Sequence, residues 1–205
     1  MKKAFHEYCR SEKFFSATLL SYLLINNNFE GLKRFLSFLN DRSFFPLHNN
    51  DIRKPIQEEF ISSNSSNNDI HYATEMNILQ DLSHNGYLIN PESLKKKIKG
   101  EAIPDIISVI GDIILIIEVK YYTNYYESKL SQQLAQQKYI FDVIKDLYGK
   151  EDMGELHVCI CPDKISLSNG YVITWEEIYN LFKHTPNCDF VLESLQHNLK
   201  HSLNY

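Results

Sequence analysis

Asp105, Glu118 and Lys120 are the residues of this chain whose types and spacing could do chemistry together. They sit in the stretch from Ile103 to Lys120, two apolar runs parted by Gly111 and Asp112. A Gly-X pair between β-branched runs is the signal for a two-residue hairpin turn with glycine first. With Val109-Ile110 and Ile113-Ile114 flanking the turn, counting outward sets Asp105 directly opposite Glu118. Side chains alternate with period two along a strand, so Lys120 projects from the same face as Glu118. Two facing carboxylates in so apolar a segment repel each other, and a divalent cation between them is the simplest remedy. The register alone therefore predicts a metal site with an amine beside it.

Other elements must carry this hairpin. Residues 1 to about 45 read as helical: Phe14, Ala17, Leu19, Leu20, Leu23 and Leu24 form one apolar face, and Leu32, Phe35, Leu36 and Leu39 repeat it after a break at Asn26–Asn28. The pattern predicts a helical hairpin, docked on the main domain or forming a partner surface. The polar run Ser62–Asn68 reads as a loop and divides the chain into an N-terminal helical extension with linker (1–68) and a core (69–205). Within the core, Thr74–Asn85 is predicted to be a helix with Thr74 as N-cap and Gly86 as stop. Glu75, Leu79 and Leu82 then share a stripe, where Glu75 either meets a buried partner or complements the first-turn dipole.

A short strand follows at Gly86–Ile89, and then the cluster Lys95, Lys96, Lys97 and Lys99. That cluster reads either as a solvated loop or as a phosphate clamp. Beyond the hairpin, Glu127–Tyr148 has helical apolar spacing through Leu130, Leu134, Phe141 and Ile144, with Gln137 inside the stripe and Gln133 beside it. Leu156–Cys161 reads as a strand, and Thr174 with Glu177 as the capping box of a further helix. His197 and His201 are spaced to share a metal on the C-terminal helix, but no third ligand accompanies them and they read as surface.

The 205 residues are 43% apolar and 23% charged with a net charge of −5, an ordinary soluble globule. That balance argues against a surface given wholly to nucleic acid, though not against a local basic patch. The four cysteines have no framework spacing, and neither a membrane span nor a signal peptide is expected, so the chain reads as cytoplasmic. No Gly-rich phosphate loop, His-Glu-x-x-His or Gly-x-Ser-x-Gly is present.

Pro104-Asp105, a twelve-residue gap and Glu118-Val119-Lys120, carried on a hairpin between two helices, resemble the PD-(D/E)xK nuclease superfamily over roughly residues 74–161. The resemblance implies an α/β fold with a restriction-endonuclease-like αβββαβ core, a central mixed sheet flanked by helices, and here an N-terminal helical extension. It implies metal-dependent hydrolysis of phosphodiester bonds in nucleic acid, with DNA the expected substrate. Asp105, Glu118 and the Val119 carbonyl would hold Mg²⁺ or Mn²⁺ through hard oxygens. Lys120 would orient or deprotonate water or offset developing charge, and Glu75, with Glu59 as its substitute, would complete the catalytic set. Lys95, Lys96, Lys97, Lys99 and Gln133 would contact the nucleic acid. No membrane partner is implied, and a homodimer is open. Relief of the like-charge pair predicts that Asp105→Asn or Glu118→Gln ends cleavage without loss of stability. The alternatives are a catalytically inert module that binds nucleic acid or protein on the same fold, and a purely structural ion-pair network.

Overall fold

The computed structural model describes residues 14–48, 52–62, 70–78, 81, 103–121 and 127–202. Lys95, Lys96, Lys97 and Lys99, the strand expected at Gly86–Ile89 and the side chain of His201 lie outside the described residues.

The architecture is α/β: seven strands form one mixed sheet among the described residues, and helices cover it on both sides. Its centre is the hairpin of β4 (Ile106–Ile110) and β5 (Ile113–Val119), paired with Ile110 opposite Ile113 and Ile106 opposite Ile117. That is the register expected from the glycine-first turn. Gly111 has φ +58°, and a Cβ there would lie 2.1 Å from the Phe60 ring, so both backbone and space demand glycine. Every residue of β4 and β5 is buried. Such continuous apolar strands belong in the middle of a sheet covered on both faces.

β3 (Ile70–Thr74) pairs antiparallel with β4 on one side of the hairpin. On the other, β6 (Gly154–Cys161) lies parallel to β5, which requires a crossover, and the helix Glu127–Tyr148 supplies it. β6 carries two short neighbours on its outer edge. β1 (Leu47–His48), which pairs with β2 (Ile52–Arg53), meets its start, and β7 (Tyr171–Thr174) runs parallel to its end.

The two faces divide by strand alternation. Ile107, Val109, Ile114 and Ile116 pack under Ile140, Phe141 and Ile144 of the crossover helix. Ile106, Leu115, Ile117 and Val119 pack under the N-terminal hairpin and the helix Trp175–Phe182. The N-terminal hairpin is a π-helix (Phe14–Leu20) running into Ser21–Asp41, broken where Asn26 to Phe29 leave helical values. The returning limb passes so close that a Cβ on Gly31 would lie 1.7 Å from the Leu23 carbonyl oxygen. The described residues before position 63 thus supply one layer of the core and two strands of the sheet. Among the described residues no helix is long and apolar enough to cross a membrane.

One sequence expectation fails. Thr74 ends strand β3 and caps no helix; Glu75 follows it with φ +53°, Ile78 and Asp81 are helical, and Leu79 and Leu82 of the expected stripe lie outside the described residues. Alternation over five residues is too short a signal to separate β3 from the helical pattern that follows it. Pairing along the β4 edge is what fixes Ile70–Thr74 as a strand.

Candidate metal centre

At the open end of the hairpin the backbone ladders stop because of two prolines. Continuing the β4–β5 register sets Pro104 opposite Val119 at a hydrogen-bonding position, and proline has no N–H. The Val119 amide donates to the Asp105 side chain, to Oδ2 at 2.7 Å. No described group donates to the Val119 carbonyl, although Val119 is fully buried. On the β6 side Lys120 donates its amide to the Ile160 carbonyl at 2.7 Å. The donor due to the Lys120 carbonyl would come from Pro162, which also lacks it, and the Trp175 indole supplies one at 2.9 Å. Trp175 is held there by the helix it begins, whose Thr174–Glu177 capping box is formed as the sequence predicts. The carbonyl of Lys120 is thereby satisfied.

Asp105 and Glu118 share the face covered by the crossover helix, as alternation requires. Glu118 is only 2% exposed. Its Oε1 accepts from Lys120 Nζ at 2.7 Å and from Gln133 Nε2 at 2.6 Å, and its Oε2 accepts from Gln137 Nε2 at 2.8 Å. Burial, then the charge of Glu118, push Asp105 up to about 8. Burial also raises Glu118, against the opposing pull of Lys120 and the two amides. Three donors on Glu118 against one on Asp105 favour the negative charge on Glu118 and the proton on Asp105.

Glu75 reaches this site by a route other than the helical stripe expected. Its amide donates to the Asp105 carbonyl at 3.0 Å, one step past the β3–β4 ladder, and its charge adds to the upward push on Asp105. The hydroxyl of Ser16, buried on the π-helix, donates to Glu75 Oε1 at 3.4 Å. Glu59 is not brought in: it is exposed beside Phe60, which packs on the turn at Gly111. That is the opposite end of β5, about 20 Å away at the usual rise per residue.

Among the described residues no group of three or more His, Cys, Asp and Glu side chains is gathered to hold a metal ion. Asp105 and Glu118 share a face, and with the backbone oxygen of Val119, the residue after Glu118, they are hard ligands of the kind Mg²⁺ and Mn²⁺ take. A buried carboxyl pushed up to about 8 beside a second acid fits a cation, since an ion there would favour its ionised form.

Two further residues belong to the site. Gln137, fully buried, links Glu118 to His157, whose Nε2 lies 2.9 Å from Gln137 Oε1. Gln137 stood inside the apolar stripe, a visible signal; His157 could have been found from the alternation of β6, which turns it toward the same helix. Comparison with protein-family models, with curated proteins and with solved structures finds no match.

Proposed function

We propose that this chain is a divalent-metal-dependent nuclease of restriction-endonuclease-like fold, hydrolysing phosphodiester bonds with DNA as its substrate. The carrying observation is a pair of carboxylates on one sheet face, Asp105 and Glu118, with Lys120 Nζ 2.7 Å from Glu118 and the Val119 carbonyl left without a ladder donor. The order of three antiparallel strands, a crossover helix and a parallel strand supports the fold assignment, since it follows the αβββαβ core after its first helix.

Asp105, Glu118 and the Val119 carbonyl would hold Mg²⁺ or Mn²⁺. The cation supplies Lewis acidity toward the phosphodiester and makes water a better nucleophile. Lys120 Nζ lies 2.7 Å from Glu118 on the same face, where it can orient the attacking water or neutralise charge growing on phosphate oxygens. Glu75 extends the acidic set beside Asp105 and helps position the ion. Gln133, half-buried, can exchange its bond to Glu118 for one to the substrate backbone, and Lys95, Lys96, Lys97 and Lys99 would bind phosphates.

A second reading, a catalytically inert binding module, is favoured by one observation: Glu118 already accepts three hydrogen bonds from its own chain. Titration calorimetry with Mn²⁺ and plasmid cleavage by wild type, Asp105→Ala and Lys120→Ala test the proposal. Metal uptake with cleavage abolished in both variants is expected. Uptake without wild-type cleavage selects the inert module, and no uptake removes the metal centre.

A further inference from the structure

His157 stands behind the metal centre, 8% exposed, on the far side of Gln137 from Glu118. An ionised carboxylate can only accept hydrogen bonds, so the Gln137 NH₂ must face Glu118 and its oxygen must face away. That oxygen is buried and needs a donor, and the group 2.9 Å from it is His157 Nε2. The imidazole therefore carries its proton on Nε2. Burial pushes its pKa down to about 4, so at neutral pH the ring is uncharged and has that one N–H to give. Every bond in the row donates toward the acid: His157 to Gln137, Gln137 to Glu118 Oε2. Were Gln137 to flip, its oxygen would oppose the carboxylate and its NH₂ would meet the imidazole N–H.

We propose that His157 is a positioning residue for the metal centre: by donating to Gln137 it fixes the amide that holds Glu118 Oε2, and so sets the orientation in which Glu118 meets the cation. The proposal rests on the nuclease reading above. Lys120 and Gln133 both hold Oε1, so Gln137 is what fixes the other oxygen. Restraint of this kind behind a ligand is what orients it before the ion arrives.

A space-filling role would need only the ring's volume, packed edge-on against Phe141 at 5.7 Å between centroids. His157→Leu keeps an apolar body there and removes the donor, whereas His157→Gln returns an amide nitrogen close to the position of Nε2. The full-length chain and both variants are compared by calorimetric Mn²⁺ titration, by thermal unfolding in chelator, and by cleavage kinetics at saturating Mn²⁺. His157→Leu is expected to fold, to bind Mn²⁺ about 10-fold more weakly or worse, and to lose kcat with KM for DNA unchanged. His157→Gln is expected to recover most of the affinity. In the metal-free wild type, nitrogen NMR of the imidazole is expected to show the Nε2–H tautomer.

Wild-type Mn²⁺ affinity in His157→Leu overturns the proposal, as does a His157→Gln variant no better than His157→Leu, or an Nδ1–H tautomer. Should His157→Leu fail to fold, Gln137→Met interrupts the same link and must show the same loss of Mn²⁺ affinity; unchanged affinity there overturns it equally. A wild-type protein that takes up no Mn²⁺ brings down the nuclease reading and this proposal together. Metal binding indifferent to His157 brings down only the latter.

Discussion

The Val119 amide donates to the Asp105 carboxylate at 2.7 Å, where continuing the β4–β5 register would set Val119 opposite Pro104, a residue with no N–H to offer the Val119 carbonyl. The neighbouring ladder ends in the same way at Pro162, but there the Trp175 indole satisfies the carbonyl of Lys120. In the proposed metal centre the Val119 carbonyl would be the third oxygen.

Pro104→Ala supplies the missing N–H. One recovered hydrogen bond contributes roughly 0.5–1.5 kcal/mol, and losing the proline's restraint on the unfolded chain removes a similar amount. Urea unfolding of the metal-free protein should therefore change by less than about 1 kcal/mol. Mn²⁺ affinity should fall, because the Val119 oxygen now has a competing partner. Unchanged affinity would take Val119 out of the ligand set.

Asp105→Asn and Glu118→Gln should both end cleavage, yet they should part in stability, which the charge pattern alone did not foresee. An asparagine keeps an oxygen for the Val119 amide and removes an acid whose ionisation is opposed, so stability at pH 8 should hold or rise, by roughly 1–3 kcal/mol at most. A glutamine at 118 removes the carboxylate that Lys120 Nζ meets at 2.7 Å and presents an NH₂ to other donors. A loss of roughly 2–4 kcal/mol is expected there. Equal melting temperatures for the two variants would contradict the hydrogen-bond assignment at Glu118.

The metal-free protein should lose stability as pH rises from about 6.5 to about 8. Asp105 holds a proton in the folded chain up to about 8 but gives it up near 3.8 when unfolded, so the folded state binds more protons in between and raising pH favours unfolding. The raised Glu118 acts in the same direction. His157 acts oppositely, from about 4 to 6.5, because its pKa is lowered in the folded state, and this masks the trend at more acidic pH. Asp105→Asn should flatten the slope above 6.5. Mn²⁺ binding at pH 7 should release protons, detectable as a dependence of the calorimetric heat on buffer ionisation enthalpy.

Replacing Lys95, Lys96 and Lys97 by alanine should weaken DNA binding and reduce its salt dependence by about one unit of slope for each phosphate no longer neutralised. An unaltered slope would return these lysines to solvated surface.

The sequence by itself determined the hairpin, and with it the first three residues of the site. A glycine-first turn and two apolar runs leave a single register that keeps both strands buried, and that register sets Asp105 opposite Glu118 with Lys120 on the same face. The helix Glu127–Tyr148 and the Thr174 cap were legible for the same reason: their signals repeat within a few residues. Tertiary structure alone decided what surrounds them. Ile70–Thr74 is a strand because β4 offers an open edge, and Glu75 approaches Asp105 because that pairing runs one step further. Gln137 and His157 lie twenty residues apart in the chain and meet only because the crossover helix lies down on β6. Periodicity fixes which face a side chain takes; what covers that face depends on contacts between distant segments, which no local pattern encodes.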